Sequence, residues 1–152
     1  MTAVTSYDRR LLGELCRVAA GVIAESFRVL LGQPAADPGL VICVHTFGNL
    51  LNFHPHLHVM ATDGGFTPDG VFHPLPTLSL AQLEELFRHR VLKMLLRKEL
   101  LTPERITLLR SWEHSGFNVN AAARTATSRF QIFDPLGFLA AATSHIPNRG
   151  EQ

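Results

Sequence analysis

Apolar positions recur at helical spacing near the start of the chain. Leu12, Leu15, Ala19, Val22 and Ile23 share one side of a 3.6-residue turn, which predicts a helix over residues 9–31. Asp8 is placed to cap it, and Gly32 and Pro34 are placed to stop it. The segment GQPAADPG reads as a loop. The period then changes. LVICVHT (residues 40–46) is a β-branched run of strand length, FGNLLN is a connector, and HPHLHVMAT (residues 54–62) alternates up to Val59. Asp63-Gly64-Gly65 is a turn signal, with Phe66 opening the next strand, and a second turn at TPDG leads into VFHPLP. Residues 40–76 therefore read as three or four short strands.

Helical spacing returns after residue 78. Ser79 with Gln82 forms a capping box, so a helix starts near Leu80, with Leu80, Leu83, Leu86 and Phe87 on one face. Beyond His89 the apolar stripe drifts, which predicts either a kink or burial on two sides. Thr102-Pro103 is an N-cap followed by proline at the first helical position, opening a helix that reaches about Trp112. HSGFNVN reads as strand or turn, residues 121–133 carry little signal, and Asp134-Pro135 opens a last short helix ending near His145. Helix, strands, then helices make an α+β domain with an antiparallel sheet of three to five strands.

Composition narrows the class. The chain has 152 residues, 46% of them hydrophobic and 18% charged, so it can bury a core, and wholesale disorder is excluded. A formal net charge of +1 does not announce a nucleic-acid binder. Two cysteines, Cys16 and Cys43, cannot make a zinc site alone and fit a reducing compartment. No apolar run is long enough to span a bilayer and no signal-peptide core follows the first residues, so a cytoplasmic location with no membrane partner is expected.

The candidate chemistry lies in the histidines. On a strand, residues i and i+2 project to the same side about 7 Å apart, so His56 and His58 can converge on one cation. His54 lies about 13 Å from His58 on an extended strand and does not easily join them. His45 ends the preceding strand and can supply a third ligand if the two strands are neighbours. Three protein ligands leave positions open for water or substrate, as in a catalytic site. The competing explanation is that each histidine is a hydrogen-bonded residue of a half-buried strand, the commoner role for any single one.

At these residues the chain resembles a known family. HTFGNLLNFHPHLHVMATDGGF resembles the central block of the two-tyrosine transposases of rolling-circle insertion sequences. These belong to the HUH endonucleases, named for histidine–hydrophobic–histidine, here His56-Leu57-His58. FHPLP (72–76), WEHSGFNVN (112–120) and FDPLGFLAAATSHIPN (133–148) support it. The resemblance implies a ferredoxin-like or RRM-like antiparallel core. It implies a divalent cation, Mg²⁺ or Mn²⁺, held by His56, His58 and a third polar ligand, with His45 the leading candidate. It also implies single-stranded or hairpin DNA at element ends as partner, and strand nicking by a tyrosine that becomes joined to the DNA.

The departures from the family are specific. Tyr7 is the only tyrosine, while the family's nucleophiles lie on a helix between the WxHSGFNV-like and FDPL-like blocks. Here only residues 121–132, AAARTATSRFQI, separate those blocks. A cysteine-rich zinc region before the first helix and a tyrosine-rich basic segment after IPNRGEQ are also expected in relatives and not seen here. The expectation is a truncated or internally deleted transposase. Residues 1–120 form a partial catalytic core, and 121–152 form a junction and short helix from a later part of the family's domain.

Charge is uneven along the chain. Arg88, Arg90, Lys93, Arg97 and Lys98 follow one another without an acidic residue, and Arg90, Lys93 and Arg97 share a helical face suited to phosphate contacts. A solvated helix face is the plainer account of those three. Trp112 has two readings, a stacking platform for an unpaired base or a core residue beside Leu108 and Leu109. Three functions stay open. The first is a metal-dependent strand-transfer protein lacking its nucleophile. The second is a non-catalytic DNA-binding remnant, self-associating or paired with an intact transposase. The third is a small metal-dependent hydrolase using water, for which Asp63 is the only close acidic residue.

Overall fold

A computed structural model describes residues 9–47, 53–112 and 117–120. Within them the order is α1 (Arg9–Leu31), β1 (Asp37–Phe47), β2 (Phe53–Phe66), β3 (Phe72–Pro74), α2 (Leu80–Arg97) and α3 (Pro103–Arg110). The strands form one sheet in the order β1-β2-β3, and β2 pairs with β3 antiparallel. The few residues between β1 and β2 are too short for a parallel crossover, so that pair is antiparallel too. This is the α+β arrangement the order of periods predicts. The chain divides into two compact units, residues 9–39 with 62–120 in one, and the part of the β1–β2 hairpin within residues 40–61 in the other. Asp8, the FGNLLN connector beyond Phe47, the side chain of His54, and the helix predicted from Asp134 lie outside the described residues.

α1 ends where its sequence says it should. Gly32 takes φ +62°. Its N–H donates to the Val29 carbonyl at 3.2 Å, and the Gln33 N–H donates to Arg28 at 3.1 Å. This closure satisfies two carbonyls of the last turn and requires a left-handed residue. α1 packs on α2. Ala19, Val22 and Phe27 are buried on the first helix, and Val91, Leu92 and Met94 on the second. Each fully buried side chain of this kind contributes about 1.5–3 kcal/mol, so the apolar stripes hold the pair. The drift of the stripe after His89 does not kink α2, which runs unbroken to Arg97 with Val91, Leu92 and Met94 as its buried set.

The helix starts follow their caps. The Ser79 side chain accepts from the Gln82 N–H, and the Thr102 side chain accepts from the Arg105 N–H. Thr102 also hydrogen-bonds the Glu104 carboxyl and holds it below its usual range. Near the C-terminal end of the described chain, the Val119 N–H donates to Glu84 at 3.0 Å and Phe117 meets Phe87 edge-on with ring centres 6.0 Å apart. The tail of the WEHSGFNVN block is thereby tied to α2, with no helix or strand over residues 117–120.

Two sequence readings need correction. Asp63-Gly64-Gly65 does not turn; β2 continues through it to Phe66. The glycines are there for close approach. A Cβ at Gly64 would lie 2.1 Å from the His73 carbonyl oxygen, and one at Gly65 would lie 3.0 Å from Leu31 Cδ1. The turn predicted at TPDG is present, at Thr67–Gly70. There the Gly70 N–H donates to Thr67 at 2.8 Å, Pro68 takes the second position, and Gly70 has φ +84°. The second correction concerns Trp112. It is 52% exposed, so it is not the core residue that its neighbours Leu108 and Leu109 suggest.

Candidate metal centre

His45 comes from β1, and His56 and His58 come from β2. Alternation puts His56 and His58 on one face of their strand, with Leu57 on the other. Strand pairing brings His45 to the same place. The ring centres of His45 lie 5.4 Å from His56 and 4.3 Å from His58, and those of His56 and His58 are 5.0 Å apart. One nitrogen from each ring falls within a set whose members all lie within 4.8 Å of one another. All three residues are half-buried. Among the described residues this is the one group of three or more histidine, cysteine or acidic side chains so arranged.

The geometry fits a cation. Metal–nitrogen distances of about 2.0–2.1 Å imply nitrogens roughly 3.0–3.5 Å apart, which side-chain rotation reaches from here without moving the backbone. The donors are imidazole nitrogens, and among the described residues no carboxylate belongs to the group. A divalent ion held there would keep its full charge, which favours an anionic oxygen in the remaining positions.

The basic residues that the sequence assigns to one face of α2 are all exposed. Arg90, Lys93 and Arg97 line a groove of about 340 Å³ against α1, whose side of it carries Glu14, Arg17 and Glu25. Arg90 pairs with Glu25 at 2.6 Å. Glu14 pairs with Arg17 at 2.7 Å and with Lys98 at 3.5 Å. Burial pushes the Glu14 carboxyl up, but the charges of Lys98 and Arg17 outweigh it and hold it below the usual carboxylate range. Arg88 pairs with Glu85 on its own helix. The α1 residues of this groove escaped the sequence reading because Glu25 and Arg90 are 65 positions apart. A pattern confined to one helix carries no trace of such a pairing.

Among the described residues no helix is long and apolar enough to cross a membrane.

Comparison with known proteins adds a family. Residues 39–137 match a family model described as "Putative transposase". Over 50 residues, 31% of this chain and 13% of the relative, the sequence is 42% identical to "Putative transposase y4qJ" of Sinorhizobium fredii (strain NBRC 101917 / NGR234). Over 69 residues, 45% of this chain and 16% of the relative, it is 35% identical to "Transposase for insertion sequence element IS801" of Pseudomonas savastanoi pv. phaseolicola. The matches thus span well under a fifth of either relative's own length. No solved structure matches significantly.

Proposed function

Because the chain belongs to the transposase family whose model covers residues 39–137, we propose that it binds DNA and carries the cation-binding hairpin of a strand-nicking enzyme. The observation that carries this reading is the convergence of His45, His56 and His58. These three residues would hold a divalent cation, Mn²⁺ better than Mg²⁺, because an all-imidazole donor set prefers first-row transition ions to hard oxygen-seeking ones. When bound, the cation supplies Lewis-acid polarisation of a scissile phosphate. The chain's own part is to fix three ring nitrogens on adjacent strands and leave coordination positions facing the DNA.

The DNA partner is a single strand or hairpin at an element end, with Arg90, Lys93 and Arg97 supplying phosphate contacts. Residues 1–120 are part of the catalytic core, and 121–152 belong to a later part of the family's domain. Strand cleavage needs a nucleophile, and the chain has no tyrosine other than Tyr7. That observation favours a second reading, a non-catalytic DNA-binding protein that occupies element ends alone, as a homo-oligomer or beside an intact transposase. Hydrolysis by water has less support, since among the described residues no carboxylate belongs to the cluster.

Two measurements test this. Calorimetric titration with Mn²⁺ is expected to show one site in the wild type and none in His56→Ala or His58→Ala. Identical curves would remove the metal centre. Labelled hairpin single strands incubated with protein and Mn²⁺ are expected to bind without forming a covalent adduct. An adduct would show that a nucleophile is present after all, and no binding would remove the DNA reading.

A further inference from the structure

The groove between α1 and α2 divides the three basic residues of α2 into two kinds. Lys93 and Arg97 sit one turn apart and, among the described residues, neither side chain makes an ion pair or hydrogen bond. Like charges at this spacing repel each other, and an anion between them relieves the repulsion. Arg90 is different, because Glu25 holds it at 2.6 Å. Both partners of that pair are nearly half exposed, 43% and 46%, so a ligand can reach them from solvent. Space is available as well. Gly21 of α1 lines the groove, and a Cβ built on it meets nothing within 4 Å.

We infer that this groove is a binding site for the phosphates of a single-stranded DNA backbone, in which Lys93 and Arg97 are the open contacts and Glu25 competes with the DNA for Arg90. The inference rests on the DNA reading above and adds to it a residue of α1 that limits affinity. In the free protein the Glu25 carboxylate occupies the position of a phosphate oxygen at Arg90. When DNA binds, a phosphate either leaves Arg90 with Glu25 or displaces the carboxylate and leaves it uncompensated. Either way one cation of the face is discounted, and the number of counterions released on binding is lower than the number of cations suggests.

The test is fluorescence anisotropy with a labelled single-stranded oligonucleotide in EDTA, over a series of salt concentrations, so that the histidine cluster plays no part. Glu25→Gln is nearly isosteric and is expected to tighten binding by about threefold to tenfold and to steepen the salt dependence by about 0.7. Adding Arg90→Ala to Glu25→Gln is expected to abolish that gain. Lys93→Ala with Arg97→Ala is expected to weaken binding and flatten the slope by about 1.4. Circular dichroism checks that each variant keeps its helices. If the Lys93/Arg97 variant weakens binding while Glu25→Gln changes nothing, the competition is wrong and the DNA reading stands. If neither variant changes binding, the groove does not contact DNA. If the wild type does not bind at all, the DNA reading itself fails.

Discussion

At the histidine hairpin, three like donors are gathered from two neighbouring strands, and among the described residues no acid joins the group. In the α1–α2 groove and at its rim, cations and carboxylates far apart in the chain meet and pair, as Glu25 of α1 does with Arg90 of α2 and Glu14 with Lys98 just past the end of α2. The first region brings one nitrogen from each of three rings within 4.8 Å of one another. The second satisfies much of its own charge and leaves only part of it exposed. Internal pairing lowers what a charged ligand gains from a site, so the groove keeps its carboxylates at some loss of affinity for an anion. The two regions also differ in what holds them. The hairpin site depends on strand alternation, and the helix pair depends on buried apolar side chains beneath its charged rim.

The largest expected effect tests that last point. Phe27 is 3% exposed, and Phe27→Ala should cost about 3–5 kcal/mol in urea unfolding. A loss below about 1 kcal/mol would mean that the charged rim, and not the apolar face, holds α1 in place. Next comes register. In the double variant His58→Val, Val59→His the composition is unchanged but one imidazole moves to the opposite face of β2. Mn²⁺ affinity should fall by about a hundredfold or more, read by calorimetry. Retained affinity would show that alternation is not what builds the site.

A smaller effect is expected in the groove. A double-mutant cycle on Glu25→Gln and Arg90→Gln should give a coupling of about 0.5 kcal/mol, because both side chains are well exposed to solvent. A coupling above about 2 kcal/mol would make the pair a structural element and not a displaceable one. The smallest effect is in pH. Glu14 is held below its ordinary value in the fold, so its contribution is present above the unfolded carboxylate pKa and is lost as pH falls through the depressed folded value. The difference in thermal midpoint between wild type and Glu14→Gln should therefore favour wild type near about pH 6 and vanish near about pH 3. A difference that grows on acidification would reverse the sign and rule out the pairing with Lys98 and Arg17.

Much of this protein follows from local pattern. The C-terminal end of α1 is written in Gly32, because a left-handed closure excludes most other residues. The starts of α2 and α3 are written in Ser79 and Thr102, whose side chains take the first free N–H groups. His56-Leu57-His58 declared its shared face as soon as the segment was read as a strand, since the side-chain period of a strand is two. Gly64 and Gly65 were misread for an equally physical reason. A glycine serves a turn or a close approach, and only the neighbour's position, here the His73 carbonyl oxygen, tells which.

The chain alone thus determined the alternation that puts His56 and His58 on one face, the caps that start α2 and α3, and the family to which the sequence belongs. Tertiary structure decided that His45 completes the trio and that Glu14 and Glu25 face the cations of α2. The reason is the range of the forces involved. Backbone geometry and capping act over a few residues and leave a periodic trace, while cross-strand approach and ion pairing join positions that no local period connects.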